Sequence, residues 1–324
     1  MSTVSTKTGS SEAHSKLILV GEHAVVYGKP AIAVPFPLKV KAVVEQSSGK
    51  IMFESKIYNG SIDNMPMKMK GIEVCIKETL DSLKEPFENL RIRVESSIPL
   101  GRGLGSSAAI AIAIVRSLFS FYEKKPSQEQ LFSLVRISET YAHGKPSGID
   151  TAAELSECPI WFQKGKEIVS LITGDPLYLV VADTGRIGDT HTAVDNVRKK
   201  YLVETREVEK SLDEIAKIAE LAREALLSGD MYLLGSLLYR NHEELKVLGV
   251  SDDGLDTLIE AARNAGALGA KLTGGGLGGC MIAIGKDLEH AEVIAKQLMK
   301  AGASKSWYFS SEDNILYVTE GEKE

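Results

Sequence analysis

The chain has 324 residues, of which 44% are hydrophobic and 25% charged, and its 38 basic and 44 acidic side chains give a net charge of −6. This length and apolar content allow about two globular domains. The acidic balance argues against a nucleic-acid-binding surface, and no apolar run reaches the ~18 residues that indicate a membrane span.

The first thirteen residues are polar and rich in Ser and Thr, without the apolar centre of a signal peptide. We therefore predict a mobile tail over residues 1–13. The three cysteines, Cys75, Cys158 and Cys280, form no CxxC pair and no zinc pattern. Sparse, unpaired cysteines are typical of a reducing compartment, so a cytoplasmic location is expected.

The first half of the chain predicts a mixed α/β domain over residues 1–172. Short apolar or alternating runs predict strands, and the longer apolar stretches predict helices. Irregular residues 48–70 predict short strands and a loop, and Ser127 and Gln130 form a capping box that starts one helix. The predicted strands are residues 14–21, 31–34, 39–45, 89–96 and two between 159 and 171, and the predicted helices are residues 69–83, 108–122 and 127–143.

The second half, residues 173–324, predicts a different pattern. A strand at 177–183 leads into three or four helices between 192 and 265. Strands at 267–273 and 280–285, a helix at 288–301 and two short strands follow. Strands and helices are thus partly segregated, which favours an α+β fold over a doubly wound parallel sheet.

A glycine-rich segment, residues 99–109, has the sequence PLGRGLGSSAA and lies between a predicted strand and a predicted helix. Its alternating glycines let the backbone approach a ligand closely, and the start of the helix attracts an anion. The hydroxyl groups of Ser106 and Ser107 can bind a phosphate oxygen or a metal ion. The segment therefore predicts a phosphate-binding loop, with a Ser-capped tight turn as the alternative. It is not a Walker A loop, because no Lys follows Gly105.

A second glycine cluster, residues 271–280, has the sequence KLTGGGLGGC. It formally contains the dinucleotide pattern GxGxxG, but a strand is predicted after it where that pattern requires a helix. A glycine-rich hairpin is the better interpretation, and taken alone it is equally compatible with a merely flexible hairpin. Two such loops in one chain favour a single polyphosphate ligand.

Acidic and basic residues near these loops suit phosphoryl transfer, which needs Mg²⁺, positive charge and a group that orients the attacking hydroxyl. Glu139 suits Mg²⁺, and Asp150, preceded by Gly148 in a tight turn, suits the hydroxyl. Lys16 lies in an apolar strand, where a lysine is rarely left unpaired, so it should meet a carboxylate or a phosphate. For a lone carboxylate or for His23 the ordinary interpretation is a structural role, and only the company of the glycine loops favours a site.

Together these residues resemble the GHMP kinases, a family of small-molecule kinases. Its three motifs occur in order, around residues 16–28, at 99–109 and at 271–280, so the resemblance spans nearly the whole chain. Within the family, GEHAVVYG at 21–28 and AHGKPSGID at 142–150 resemble the mevalonate kinase branch, and the compact length resembles its bacterial form. Arg102 stands where many relatives carry a small residue, and the sequence leaves open whether it faces phosphates or solvent.

The resemblance implies a two-domain α+β fold, with an ATP- and Mg²⁺-binding domain over 1–172 and a ferredoxin-like GHMP domain over 173–324. It implies transfer of phosphate from ATP to the primary hydroxyl of mevalonate. Asp150 matches the proposed general base, Lys16 the lysine that stabilises charge, and Ser107 and Glu139 the Mg²⁺ ligands. The residues matched to the ATP phosphates are Pro99, Gly101, Arg102, Gly103, Leu104, Gly105, Ser106, Ser107, Ala108, Gly274, Gly275 and Gly276, and those matched to the substrate are Glu22, His23 and Thr190.

The sequence leaves three alternatives open. The acceptor can be another alcohol or a phosphorylated compound, as in phosphomevalonate kinase or homoserine kinase. The chain can be a non-catalytic nucleotide-binding regulator, which the presence of Lys16, Glu139 and Asp150 disfavours. It can be a dehydrogenase that uses the second glycine cluster, which the strand predicted after Gly279 disfavours. Relatives are often dimers, so a homodimer is also expected.

Overall fold

A computed structural model describes residues 7–144, 146–188, 190–313 and 315–319. The chain forms two compact units, and neither is continuous in sequence. The first comprises the described residues up to 15, residues 38–99 and 105–155, and the second comprises residues 16–37, 100–104 and those from 156 onwards. The predicted domains 1–172 and 173–324 do not coincide with these units, because two long strands and one loop each contribute to both.

The two long strands are β1 (Thr8–Val20) and β2 (Ala31–Lys50), which pair with each other. The predicted tail is therefore wrong for residues 8–13, which are strand; residues 1–6 lie outside the described part. The strands predicted at 31–34 and 39–45 are one element. Pro35 and Pro37 lie where β2 changes partner, which suits residues that lack a backbone N–H.

In the first unit, β2 pairs with β5 (Glu88–Ser96), followed outward by β3 (Met52–Ser55) and β4 (Tyr58–Ser61). The helices of this unit are α1 (Lys70–Leu83), α2 (Ser106–Phe121), α3 (Gln128–His143) and α4 (Ile149–Glu154). Helix α2 is buried along most of its length, as its apolar sequence requires, and it packs on α1, α3 and α4. The capping box that starts α3 is confirmed, since Ser127 and Gln130 satisfy each other's backbone N–H.

In the second unit, residues 31–33 of β2 pair with β6 (Ile160–Phe162), which pairs with β7 (Val169–Ser170). A separate antiparallel sheet has the order β12-β11-β8-β10-β9. Its strands are β8 (Tyr178–Asp183), β9 (Gly269–Thr273), β10 (Cys280–Gly285), β11 (Lys305–Ser310) and β12 (Tyr317–Thr319), and the helices of the unit are α5 (Thr190–Val203), α6 (Thr205–Ser228), α7 (Met231–Val247), α8 (Asp253–Asn264) and α9 (Leu288–Lys300).

The predicted α+β class is confirmed. Strands β8 to β11 and the helices between them follow the β-α-β-β-α-β order of ferredoxin-like folds, with four helices in the first connection. A hydrophobic cluster of β8, β9 and β10 with helices α5 to α9 forms the core of this part. Across the described residues, we find no helix that combines the length and the apolar character needed to cross a bilayer.

Candidate functional site

Three glycine-rich segments of the second unit pack on one another, and we call them the glycine platform: residues 100–104, 183–188 and 274–279. The N–H of Gly188 donates to the carbonyl of Gly101 at 2.9 Å, and that of Gly279 donates to Arg186 at 2.9 Å. Gly103 and Gly274 approach so closely that a Cβ on Gly274 would lie 2.8 Å from the Gly103 Cα. The predicted hairpin is confirmed, because residues 274–279 join the antiparallel strands β9 and β10, and its glycines also pack on the rest of the platform.

Lys16 is directed at the platform from β1. It is buried, with 2% of its surface exposed, and its Nζ donates to the carbonyl of Gly103 at 2.9 Å. Its backbone N–H donates to the carbonyl of Leu104 at 3.4 Å. A lysine in an apolar strand is expected to meet a carboxylate or a phosphate, and the partner of Nζ in this contact is instead a backbone carbonyl of the predicted phosphate-binding loop.

Glu22 and Lys271 form an ion pair that is completely buried in the second unit. Lys271 Nζ donates to Glu22 Oε1 and, at 2.6 Å, to the carbonyl of Leu272. Burial raises the pKa of Glu22 and lowers that of Lys271, and the attraction between the two charges opposes both shifts. Glu22 Oε2 has no hydrogen-bond partner in the part of the chain that the structure describes, so this oxygen remains for a further contact.

His23 lies beside this pair and contacts the third segment of the platform. Its Nε2 lies 2.9 Å from the carbonyl of Gly275. Because a carbonyl only accepts, Nε2 carries the proton. The backbone of His23 has φ 60°, a region that side chains rarely adopt and that often marks functional sites. Burial lowers the pKa of His23 to about 4, so the ring is neutral at physiological pH.

The lowered pKa of His23 predicts a loss of stability on acidification. The unfolded chain binds the proton near pH 6.5 and the folded chain only near 4, so stability is lost as the pH falls between these values. Between pH 7.5 and 5 the contribution is about 2 kcal/mol. Asn tolerates positive φ and does not titrate in this range. On going from pH 7.5 to 5, the free energy of unfolding of His23→Asn should therefore fall by about 2 kcal/mol less than that of wild type. Urea unfolding of both proteins at the two pH values measures the difference, and equal losses would contradict the prediction.

The side chain of Arg102 is directed at the second segment of the platform and not at solvent. Its Nε donates to Asp183 Oδ2 at 2.8 Å, and its Nη2 donates to the carbonyl of Gly185 at 3.0 Å. Both side chains of this ion pair are largely buried. Arg102 therefore joins the first two segments of the platform, and its contact with phosphates stays a prediction.

Thr190 begins α5, immediately after the second segment of the platform. A Cβ placed on Gly275 would lie 2.7 Å from Thr190 Oγ1, so the hydroxyl of this residue lies against the glycine loop. The predicted substrate residues His23 and Thr190 thus both contact one glycine, Gly275.

The first unit carries the other half of the predicted phosphate loop, at the start of α2. Gly105 precedes the helix with φ 77°, a conformation that glycine adopts without strain. Ser106 Oγ is buried and has no hydrogen-bond partner among the described residues. A buried hydroxyl at a helix N-terminus suits an anionic oxygen, which would complete its hydrogen bonding. Ser107 is half-buried, and Ala108 is buried in the helix core; Pro99 also belongs to this unit.

Glu139 and Asp150 belong to this same unit. Glu139 is a buried residue of α3, and Asp150 lies in the first turn of α4, half-buried. Helices α2, α3 and α4 pack on one another. Lys145, between the two acidic residues, lies outside the described residues.

The donors of the first unit fit Mg²⁺. Glu139 and Ser107 supply a carboxylate and a hydroxyl, the hard oxygen ligands that this ion takes together with phosphate oxygens and water. In the described ranges, no three His, Cys, Asp or Glu side chains are grouped for a metal ion. A hydroxyl and one carboxylate suit an ion whose other ligands come from phosphate and water.

Sequence reasoning gave no role to Lys271 or Asp183, although both lie in motifs that resemble the family. Lys271 carries the signal that identified Lys16, a lysine within an apolar strand, and could have been found by it. Asp183 ends β8 in the sequence Asp-Thr-Gly, but nothing local shows that Arg102 is its partner. The sequence does not show which distant residue each of these side chains pairs with.

Comparison with family models gives two matches. The model described as the GHMP kinases N terminal domain matches residues 70–157, and the model described as GHMP kinases C terminal matches residues 222–304. The first includes α1 to α4 with Ser106, Ser107, Glu139 and Asp150. The second includes the glycine loop at 274–279.

Individual proteins match over most of the chain. The mevalonate kinase of Thermococcus sibiricus is 35% identical over a 294-residue alignment, with coverages of 84% of this chain and 87% of that relative. The crystal structure of L. major mevalonate kinase in complex with R-mevalonate has a TM-score of 0.81 at 26% identity, covering 95% of this chain and 96% of that one. Mevalonate kinase from methicillin-resistant Staphylococcus aureus has a TM-score of 0.70 at 32% identity, covering 94% and 98%.

Proposed function

This chain belongs to the GHMP kinase family, and we propose that it acts as a mevalonate kinase. It transfers the γ-phosphoryl group of ATP to the primary hydroxyl of mevalonate, and the products are phosphomevalonate and ADP. The observation that carries the proposal is the 35% identity to a mevalonate kinase over 84% of the chain. The glycine platform and the buried hydroxyl of Ser106 support it, because both suit polyphosphate.

The proposal assigns phosphate binding to two sets of groups. In the second unit, the backbone of Gly101, Gly103 and residues 274–276 receives the polyphosphate, since only glycine permits such close packing. In the first unit, the start of α2 contributes free N–H groups and the Ser106 hydroxyl. Ser107 and Glu139 would hold Mg²⁺, which when bound offsets the charge of the ATP phosphates.

Asp150 and Lys16 carry the chemistry in this proposal. Asp150 accepts the proton of the mevalonate hydroxyl, or holds that hydroxyl in line for attack on the γ-phosphorus. The ammonium group of Lys16, held by Gly103, stabilises the charge of the transferred phosphoryl group. His23, Thr190 and the free Oε2 of Glu22 provide the substrate contacts.

The experiment that tests the function compares possible phosphate acceptors. Purified protein with MgATP should be offered mevalonate, phosphomevalonate, homoserine and galactose, with ADP release coupled to NADH oxidation. We expect the highest kcat/KM for mevalonate, by at least about 100-fold, because a site that hydrogen-bonds its substrate leaves polar groups unpaired with the wrong one. A preference for another acceptor would overturn the assignment of mevalonate as the substrate but would leave the assignment of kinase activity intact.

The role of Glu139 predicts an altered metal requirement. Replacing it by Gln removes the charge but keeps the shape, so the Mg²⁺ concentration at half-maximal rate should rise about tenfold or more. Glu129→Gln, on the exposed side of α3, is the matched control and should leave the titration unchanged. If the Glu139 variant titrates like the control, Glu139 is not a metal ligand.

The homodimer and the cytoplasmic location stay predictions.

A further inference from the structure

Leu277 is the one residue of the loop 274–279 that is not glycine. Its backbone has φ 52°, the left-handed conformation that disfavours a side chain and that glycine adopts freely. Gly276 and Gly278, its neighbours, have positive φ as well. A leucine in this conformation is strained, so a compensating interaction must hold it there.

Two contacts of Leu277 supply that interaction. Its N–H donates to the carbonyl of Val250 at 2.9 Å. Its half-buried side chain packs against the hydrophobic cluster of the second unit, to which Val250 belongs. The backbone of the preceding residue also lies against Val250, because a Cβ added to Gly276 would lie 2.0 Å from the carbonyl oxygen of Val250. Leu277 thus attaches the glycine loop to the core at a single side chain.

The adjacent residues depend on where this attachment holds the loop. Gly275 accepts the hydrogen bond from His23, and Gly274 contacts Gly103, the residue that accepts from Lys16. Five of the six residues in the loop are glycine, which loses more conformational freedom on ordering than any other residue. Without a side chain in the core, the loop would keep its backbone hydrogen bonds but lose the contact that most restricts its conformational freedom.

We propose that Leu277 is a positioning residue for nucleotide binding: it fixes residues 274–276 in the conformation that receives the ATP phosphates. The proposal rests on the proposed function, because it assumes that these glycines face ATP. Leu277 itself need not touch the nucleotide. A loop that is already ordered binds more tightly, because binding then requires less ordering.

Two substitutions separate this role from ordinary packing. Leu277→Ala removes the anchor but keeps a strained side chain in the left-handed conformation. Leu277→Gly removes both the anchor and the strain, so it should unfold at a higher urea concentration than Leu277→Ala. Leu288→Ala is the matched control, because Leu288 is also half-buried against the same cluster but lies at the start of α9.

The measurements are the Kd for the Mg²⁺ complex of a non-hydrolysable ATP analogue, the KM for ATP, and the urea midpoint. We expect both Leu277 variants to raise the Kd and the KM about tenfold, while the Leu288 variant stays within about twofold of wild type. The KM for mevalonate should change less than that for ATP. The variant Leu277→Gly should show weak nucleotide binding together with a smaller loss of stability, a combination that a packing role alone does not produce.

Failure of the two proposals can be told apart. If wild-type protein neither binds the analogue nor phosphorylates mevalonate, the proposed function falls and this inference falls with it. If wild type does both and the Leu277 variants bind the analogue as the Leu288 variant does, the positioning role alone is overturned. Should Leu277→Ala fail to fold, Leu277→Gly decides the question.

Discussion

Replacement of Asp150 by Asn should lower kcat about 10²- to 10⁴-fold, the range that a positioned acid–base group contributes. Asn keeps the size of the side chain but accepts no proton. The KM for ATP should change little, because the glycine platform and the start of α2 are the proposed phosphate contacts. Steady-state kinetics with mevalonate and MgATP measure both quantities.

The control for this prediction is Asp81→Asn, an exposed position of α1 in the same unit. It should retain the wild-type kcat. Urea unfolding should show that Asp150→Asn is folded, with a free energy of unfolding within about 1 kcal/mol of wild type, as for a half-buried side chain outside the core. A folded variant with near-normal kcat would remove Asp150 as the base and leave it at most a role in binding.

Replacement of Lys271 by Met should reduce the free energy of unfolding by about 3–5 kcal/mol, because it leaves the carboxylate of Glu22 buried without its cation. The double variant Lys271→Met with Glu22→Gln should recover part of this loss, since a neutral amide is less costly to bury than a lone charge. Denaturant unfolding of the two variants and wild type measures the effect.

The loss in Lys271→Met should also depend on pH. Burial raises the pKa of Glu22 already in the wild type, and without the attraction of Lys271 this pKa rises further. A carboxyl group with a raised folded-state pKa loses stability as the pH rises from its ordinary value near 4.5 toward the raised one. The destabilisation should therefore be larger at pH 8 than at pH 5, by up to about 1.4 kcal/mol for each pH unit crossed.

The same substitution at an exposed pair is the control. Lys29 and Asp213 lie 2.5 Å apart in the second unit, but both side chains are substantially exposed. Lys29→Met should cost at most about 1 kcal/mol, the range of surface ion pairs. If both Lys→Met variants lose the same free energy, the buried pair is not the structural element that its burial indicates.

Local sequence patterns predicted much of the fold. The alternation at 89–96, the apolar stretch after Ser107 and the capping box at Ser127 are short-range signals, and the structure has β5, α2 and α3 at those places. The polar character of residues 8–13 predicted a tail, but pairing with β2 makes them strand. Tertiary pairing overrides local composition there.

The candidate site was predictable only as separate motifs. Burial of Lys16 required a partner, but the sequence does not show that this partner is the carbonyl of Gly103. Glu22 and Lys271 are 249 positions apart, and neither residue type predicts the other. The left-handed conformation of Leu277 could not be predicted either. A glycine-rich segment suggests a flexible loop, and the sequence does not show the contact with Val250 that holds this loop in place.

The reaction proposed for this chain is transfer of phosphate from ATP to the primary hydroxyl of mevalonate. ³¹P NMR of a reaction that contains the protein, R-mevalonate and MgATP tests it most directly, because the spectrum identifies the phosphorus product. We expect a phosphate monoester signal that is split by two methylene protons and grows in step with ADP. Formation of inorganic phosphate in place of that signal, or ATP left unconsumed by protein that is folded, would contradict it.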